Sequence, residues 1–241
     1  MPELAWLTTR PIAHRGLYDE AEGRPENSMA AFEHAVSQGV PFEFDVQLTS
    51  DGHPVVLHDA AIPGTAAVRD LDARAVSRLR LSADQSVPTL DQVLSAVDGR
   101  VPIVVDVRRW TLGHSPGLEQ TVADRLAGYR GPAVTQSFDP FAVRKLRGLL
   151  PDLAVGQASG SLMSVGRALR AVGRSMVTNA LTRPDFLTYE LTELPDPFVS
   201  FWRNEKRPVI AYTAHSVAEE TMARDLADGF FFSGYLPTVY R

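Results

Sequence analysis

Cysteine is absent from the 241 residues. That excludes disulfides, thiolate nucleophiles and thiolate zinc sites together. Basic tracts are absent too: 24 Lys and Arg stand against 29 Asp and Glu, a net charge of −5, so a nucleic-acid partner is not expected. No apolar run approaches the roughly 18 residues that a membrane-spanning helix needs. The opening "MPELAWLTTRPIAHRG" lacks a basic patch followed by an apolar stretch, so no leader peptide is expected. Low-complexity tracts, repeats and linker-like segments are missing. What remains, 44% hydrophobic and 22% charged, is ordinary for a globular protein. The expectation is a cytoplasmic chain without stable membrane insertion, folded as one domain over residues 1–241. That is a common size for a single α/β barrel.

Short apolar or β-branched runs alternate with amphipathic segments along the whole chain. The runs predict eight strands: Pro11–His14, Phe42–Val46, Val101–Val107, Ala133–Gln136, Ala154–Gln157, Ser175–Asn179, Val209–Thr213 and Gly229–Phe232. Helical spacing of Met29, Phe32, Ala35 and Val36 predicts a helix capped by Asn27 or Ser28 and ended near Gly39. Further helices are predicted over Asp72–Leu79, Leu90–Val97, Gly117–Tyr129, Pro140–Leu149, Leu162–Val172, Pro197–Lys206 and Val217–Asp228. Strand and helix alternating eight times predict a closed parallel (β/α)8 TIM barrel, with an open doubly wound sheet as the competing architecture. Between strands two and three, Gln47 to Arg100 breaks the rhythm and predicts a short excursion outside the barrel.

Active sites of such barrels lie at the carboxyl ends of the strands. Those ends carry His14 and Arg15, then Glu43 and Asp45, then Asp106 and Arg108, and the excursion returns His58 before Asp59. Residues two apart on a strand share a face, so Glu43 and Asp45 point together, away from Phe42 and Phe44. Burying like charges side by side requires a compensating cation. Three converging carboxylates make an oxygen-rich cage for Mg²⁺ or Ca²⁺. Two His and two Arg beside it fit acid–base work on a phosphate. The alternative is a structural ion network pairing the three carboxylates with Arg15 and Arg108.

"AHRG" (Ala13–Gly16), "RPENSMAAFEHAVSQG" (Arg24–Gly39), "FEFDVQLTSDGHPVVLHD" (Phe42–Asp59), "VPTLDQVL", "QSFDPFAVRKLRGLLPDLAVG" and "PVIAYT" follow in an order that resembles the glycerophosphodiester phosphodiesterases. These are metal-dependent barrels of the phospholipase-C-like phosphodiesterase type. The resemblance implies a phosphoric diester hydrolase that splits small glycerophosphodiesters into glycerol 3-phosphate and an alcohol. It implies that His14 and His58 are the acid–base pair, with His14 favoured as base, and that Glu43 and Asp45 bind the metal, with Asp106 as third ligand. It also implies that Arg15 contacts phosphate while Glu26 and Asn27 support the site. Where the family has Glu-x-Lys on strand three, this chain has Asp106 and Arg108. The Asp is shorter by one carbon–carbon bond, roughly 1.5 Å, and the Arg is a planar fork in place of a point charge. Ser233-Gly234 replaces a more acidic ending.

Other candidates read as ordinary. His34 and His53 are expected at solvent. Trp110 and His114 are expected in a surface loop, with the substrate pocket as the alternative. Ser137–Asp139 is expected to cap a helix, with substrate contact as the alternative. His215 is expected near the mouth, where it could contact the substrate. Two rival functions share this frame: cleavage of lysolipids by the same site, and non-catalytic binding of a phosphate ligand. The first requires an exposed apolar rim, and none is legible in the sequence.

Overall fold

The computed structural model describes residues 4–82, 84–110, 116–161, 173 and 177–240. Its strands are β1 (Ile12–Ala13), β2 (Phe42–Leu48), β3 (Pro54–Val56), β4 (Ile103–Val107), β5 (Ala133–Ser137), β6 (Ala154–Ser159), β7 (Phe186–Glu190), β8 (Val209–Ala214) and β9 (Gly229–Phe232). They hydrogen-bond in the order β1-β9-β8-β7-β6-β5-β4-β2-β3, and a β1–β2 pairing closes the ring. Eight strands therefore form a closed parallel barrel. β3 lies outside it, antiparallel to β2, as the start of the predicted excursion.

The helices are α1 (Ala5–Thr9), α2 (Met29–Ser37), α3 (Ala73–Val76), α4 (Leu90–Val97), α5 (Leu118–Leu126), α6 (Pro140–Leu149), α7 (Asn179–Thr182), α8 (Pro197–Asn204) and α9 (Val217–Leu226). Local chemistry sets their starts. The Ser28 hydroxyl accepts from the Ala31 N–H at the head of α2, and Thr89 and Gln92 form a capping box on α4. Gly39, in the left-handed region at φ 63°, follows the end of α2.

One predicted strand was misplaced. Val177 and Thr178 form a turn and Asn179 begins α7, so Ser175–Asn179 is not a barrel strand; the seventh strand of the chain is "FLTYE", Phe186–Glu190. Its apolar positions are broken by Thr188, which hid it. The helix predicted over 162–172 lies outside the described residues.

Two apolar layers position the site. Phe42, Phe44 and Val46 face the helices, where Phe32 of α2 stacks on Phe42 at 4.9 Å between ring centroids. Inside the barrel, Ile12, Val104, Val134, Ala154, Phe186, Ile210 and Phe231 form a floor with Leu7 of α1. Gly156 is part of this floor's design: a Cβ there would lie 2.3 Å from the Phe186 ring. The floor is apolar and closely packed, and the inward-facing polar side chains of β2 and β4 lie above it, at the carboxyl ends of the strands.

Candidate active site

Above the floor, the alternation of β2 turns Glu43, Asp45 and Gln47 inward, all of them buried. Parallel pairing places Asp45 of β2 beside Asp106 of β4, and Asp106 beside Gln136 of β5. Glu43, Asp45 and Asp106 are 1%, 1% and 3% exposed. One oxygen from each lies within 4.8 Å of the others. A hard cation sits about 2.0–2.6 Å from each carboxylate oxygen, which allows its ligands to be up to about 5 Å apart. The three oxygens fit around one such ion. The Asp106 Oδ1 atom is buried with no hydrogen-bond partner among the described residues, while its Oδ2 accepts from Gln136 Nε2 at 3.3 Å. Gln136 is itself fixed by the Thr188 hydroxyl, which donates to its Oε1 at 2.6 Å. A buried carboxylate oxygen without a hydrogen-bond partner calls for an explanation, and a bound cation is one that this donor set fits.

The charges agree with this. Burial pushes the Glu43 carboxyl well above the usual range, and Asp45 and Asp106 push it further. Burial also raises Asp106 to about 7, with Asp45 adding to the shift and Arg108 opposing it. Burial would raise Asp45 as well, but Arg108, His58, Arg15 and the Asn27 amide hold it below its ordinary value. The ion-network alternative is therefore incomplete. Arg15 Nη1 reaches both oxygens of Glu26 at 2.8 and 2.7 Å, while Arg15 Nε approaches Asp45 Oδ2 only to 3.7 Å. Arg108 lies 3.6 Å from Asp45 and 4.0 Å from Asp106. Two arginines, one of them committed to Glu26, leave the three carboxylates short of positive charge.

The turn after β1 is built for this cluster. Arg15 and Asn27 both occupy the left-handed region, at φ 57° and 55°, a conformation uncommon for residues other than glycine but tolerated by Asn. In that shape the Arg15 N–H donates to Glu43 Oε2 at 3.0 Å, and the Asn27 N–H donates to the Arg15 carbonyl at 2.9 Å. The Asn27 side chain then holds Asp45 twice, donating to its Oδ2 at 2.9 Å and accepting from its N–H at 3.3 Å. Ser28 alone caps α2, which leaves Asn27 free for this task.

Two histidines flank the carboxylates. His14 Nε2 lies 3.8 Å from Glu43 Oε2, and its Nδ1 is 3.4 Å from the Thr213 hydroxyl. Burial, then Arg15, lowers its pKa to about 3. His58 Nδ1 is 2.7 Å from Asp59 Oδ1, and its Nε2 is 3.0 Å from Arg108 Nη2. Burial lowers the His58 pKa, and Arg108 and Arg15 lower it further. At about 3, His14 is neutral near pH 7, and His58 is shifted in the same direction.

Sequence patterns pointed to these groups but missed their supports. Gln47 continues the inward spacing of Glu43 and Asp45, and its amide donates to the Leu57 and Asp59 carbonyl oxygens at 2.6 Å each. It thereby pins the His58 loop to the barrel. Gln136 and Thr188 follow from strand register, which sequence alone does not supply. Asp139 caps α6 as expected, accepting from the Phe141 N–H at 2.7 Å. His215 stands at the end of β8, its Nδ1 3.0 Å from the Ser233 hydroxyl. His53 is exposed beside Asp51, and His34 is partly exposed and lines an open pocket of about 410 Å³. His114 lies outside the described residues. Phe141 and Phe198, near the starts of α6 and α8 and so on the mouth side of the barrel, are 59% and 55% exposed.

Residues 14–231 match the model of the glycerophosphoryl diester phosphodiesterase family. The chain belongs to this family. The span of the glycerophosphoryl diester phosphodiesterase match opens on His14 and closes on Phe231, so it takes in the whole cluster. The glycerophosphodiester phosphodiesterase of Caldanaerobacter subterraneus is 28% identical over 165 residues, 62% of this chain and 66% of that protein. Human glycerophosphodiester phosphodiesterase 1 is 30% identical over 151 residues, 56% of this chain and 44% of the human one. The chain thus spans less than two thirds of the length of these relatives. An Oleispira antarctica phosphodiesterase solved in complex with the product sn-glycerol-3-phosphate superposes with a TM-score of 0.76 at 20% identity, covering 96% of this chain and 95% of that one. That likeness is one of fold. Among the described residues, no helix is long and apolar enough to cross a membrane.

Proposed function

We propose that the protein is a metal-dependent phosphoric diester hydrolase that converts glycerophosphodiesters to glycerol 3-phosphate and an alcohol. The observation that carries this reading is the buried Glu43–Asp45–Asp106 cluster, with an unpartnered Asp106 oxygen, set between two histidines and two arginines. Glu43, Asp45 and Asp106 would hold one Mg²⁺ or Ca²⁺, which when bound supplies a Lewis acid for a phosphoryl oxygen. Asp106, though one bond shorter than Glu, reaches within the 4.8 Å cluster, which supports direct ligation.

Arg15 and Arg108 bind the phosphate and offset charge that builds on its oxygens. The hydrogen bonding of His58 supports a role as base. A guanidinium only donates, so Arg108 must meet a lone pair on His58 Nε2, and the ring proton sits on Nδ1, facing Asp59. Once Arg108 turns to the phosphate, His58 Nε2 is free to take a proton from the attacking hydroxyl. This favours His58 as the base, where the sequence favoured His14; His14 would then protonate the leaving alcohol as an imidazolium, a form that the bound anionic diester stabilises. Asp59 steadies the imidazolium that forms on His58.

The exposed Phe141 and Phe198 rings favour a second reading, in which the mouth rests on a lipid interface and the same site cleaves lysolipids. Purified protein incubated with glycerophosphocholine, glycerophosphoethanolamine and glycerophosphoglycerol, with Mg²⁺, Ca²⁺, Mn²⁺ or chelator, tests the first reading by release of glycerol 3-phosphate. Release that disappears in chelator and in His14→Ala supports it. Cleavage confined to lysophosphatidylcholine micelles moves the function to lysolipids.

A further inference from the structure

Thr188 and Gln136 are polar residues deep in the barrel, 1% and 2% exposed, in an interior that barrels of this kind fill mostly with apolar side chains. Burying such groups is costly unless each is paired. Thr188 stands on β7, with β6 and β5 between it and Asp106 on β4. Its hydroxyl still reaches the site through one intermediary. It donates to Gln136 Oε1 at 2.6 Å, while Gln136 Nε2 donates to Asp106 Oδ2 at 3.3 Å. The path crosses β6. That strand pairs Gly156 with Gln136 and Ala158 with Thr188, and alternation from the floor residue Ala154 turns both inward. On β6, nothing larger than a methyl group stands between the two partners.

The direction of this relay is forced. An ionised carboxylate only accepts, so Gln136 must present its amide N–H to Asp106 and its carbonyl oxygen to Thr188. Without the hydroxyl, nothing on that side keeps the amide from turning over and setting its oxygen against the carboxylate. The consequence falls on the two oxygens of Asp106. Oδ2 is tied, and the buried Oδ1, without a hydrogen-bond partner among the described residues, is the one left for a cation. One oxygen of each neighbouring carboxylate is held in the same way. Glu43 Oε2 accepts from the Arg15 N–H at 3.0 Å, and Asp45 Oδ2 from the Asn27 amide at 2.9 Å. Single-oxygen ligands suit Mg²⁺, which demands near-ideal octahedral geometry, whereas Ca²⁺ tolerates varied geometry and takes both oxygens of a carboxylate. Asp106, one bond shorter than a glutamate, has little reach with which to correct a wrong orientation.

We propose that Thr188 is a positioning residue for the cation site: acting through Gln136, it makes Asp106 a one-oxygen ligand and supports Mg²⁺ binding more than Ca²⁺ binding. The proposal rests on the metal-dependent reading above and adds to it a remote residue that bears on the choice of ion.

Calorimetric titration of wild type, Thr188→Val and Thr188→Ser with Mg²⁺ and with Ca²⁺ tests this without turnover. Val matches Thr in shape but cannot donate, while Ser keeps the hydroxyl. Thr188→Val is expected to weaken Mg²⁺ about tenfold, the lower end of losses for an outer partner of a metal ligand, and Ca²⁺ by about threefold or less. Thr188→Ser is expected to bring Mg²⁺ affinity back to within about threefold of wild type. Gln136→Met, similar in shape but without the amide, is expected to lose at least as much Mg²⁺ affinity as Thr188→Val. In chelator, with no cation present, the nitrogen and proton resonances of the Gln136 side-chain amide are expected to move in Thr188→Val and to stay in place in Thr188→Ser. Mg²⁺ affinity unchanged in Thr188→Val, an equal loss for both ions, no recovery in Thr188→Ser, or amide resonances unmoved in Thr188→Val overturns the proposal alone. A wild type that binds neither ion overturns the metal-dependent reading, and the proposal with it.

Discussion

The Arg108 guanidinium donates to His58 Nε2 at 3.0 Å, while Asp59 faces the other ring nitrogen at 2.7 Å. This relationship fixes a tautomer, and in the proposed reaction it would give Arg108 two duties, one on the histidine and one on the phosphate. Replacing Arg108 with Gln removes both. Turnover is expected to fall about 100-fold, the size of losing one charge-stabilising donor. The His58 pKa is expected to rise, because a cation against its lone pair is gone. Nitrogen chemical shifts of the His58 ring, followed with pH, report the second effect independently of activity. A His58 pKa unchanged in Arg108→Gln would show that the contact does not set its protonation.

The metal-free protein should lose stability as pH rises. Asp106 has its pKa raised to about 7 from an ordinary 3.8, and Glu43 shifts in the same direction. A raised carboxyl pKa means that the folded state binds a proton the unfolded state has already released. The contribution is fully present below about pH 4 and is lost as pH climbs through about 7, on the order of a few kcal/mol for so buried a group. In chelator, the melting temperature of wild type is therefore expected to drop between pH 5 and pH 8. Asp106→Asn flattens that slope, and saturating divalent cation removes it. A flat profile in chelator would mean that the carboxylates are compensated by the protein itself.

How much of this was legible in the chain follows from what strand alternation can and cannot encode. Glu43 and Asp45 announce a shared inward face by their spacing alone, and "HRG" and "HD" place histidines at strand ends. Register is different. That Asp106 neighbours Asp45, and Gln136 neighbours Asp106, depends on how strands align in space. The left-handed turns at Arg15 and Asn27 are not written in residue types, since an arginine does not favour that region. Phe186–Glu190 was overlooked because Thr188 interrupts its apolar pattern, and Thr188 is there to hold Gln136. The site itself blurred the signal for the strand that supports it.

Asn27 offers a test of support around the cation. Its amide touches Asp45 twice, so Asn27→Ala leaves a buried carboxylate short of a donor and free to turn. Loss of such an outer partner typically weakens metal affinity 10–100-fold, and about tenfold is expected here because Arg15 and Arg108 still face Asp45. Titration calorimetry with Mg²⁺ and Ca²⁺ measures it. The same variant should lose roughly 1–3 kcal/mol of stability in chelator, the usual result of stranding a buried polar group. Unchanged affinity would assign Asn27 to the turn rather than to the carboxylate.

The floor beneath the site makes a prediction about folding rather than chemistry. Phe186 fills the barrel where Gly156 has no side chain, and a Cβ would come within 2.3 Å of its ring. Gly156→Ala is therefore expected to destabilise the protein by about 1–3 kcal/mol, as overpacking of a rigid core does. Phe186→Leu alone leaves a void and is destabilising for the opposite reason. The two changes share one space, so the added methyl occupies part of the void that the smaller side chain leaves. The double variant is expected to lose less than the sum of the two single losses, with a coupling of roughly 0.5–3 kcal/mol. Denaturant unfolding of the four proteins gives the cycle. Strict additivity would show that the barrel relaxes around the methyl by moving strands, in which case the polar layer above must shift as well and cation affinity would fall with stability.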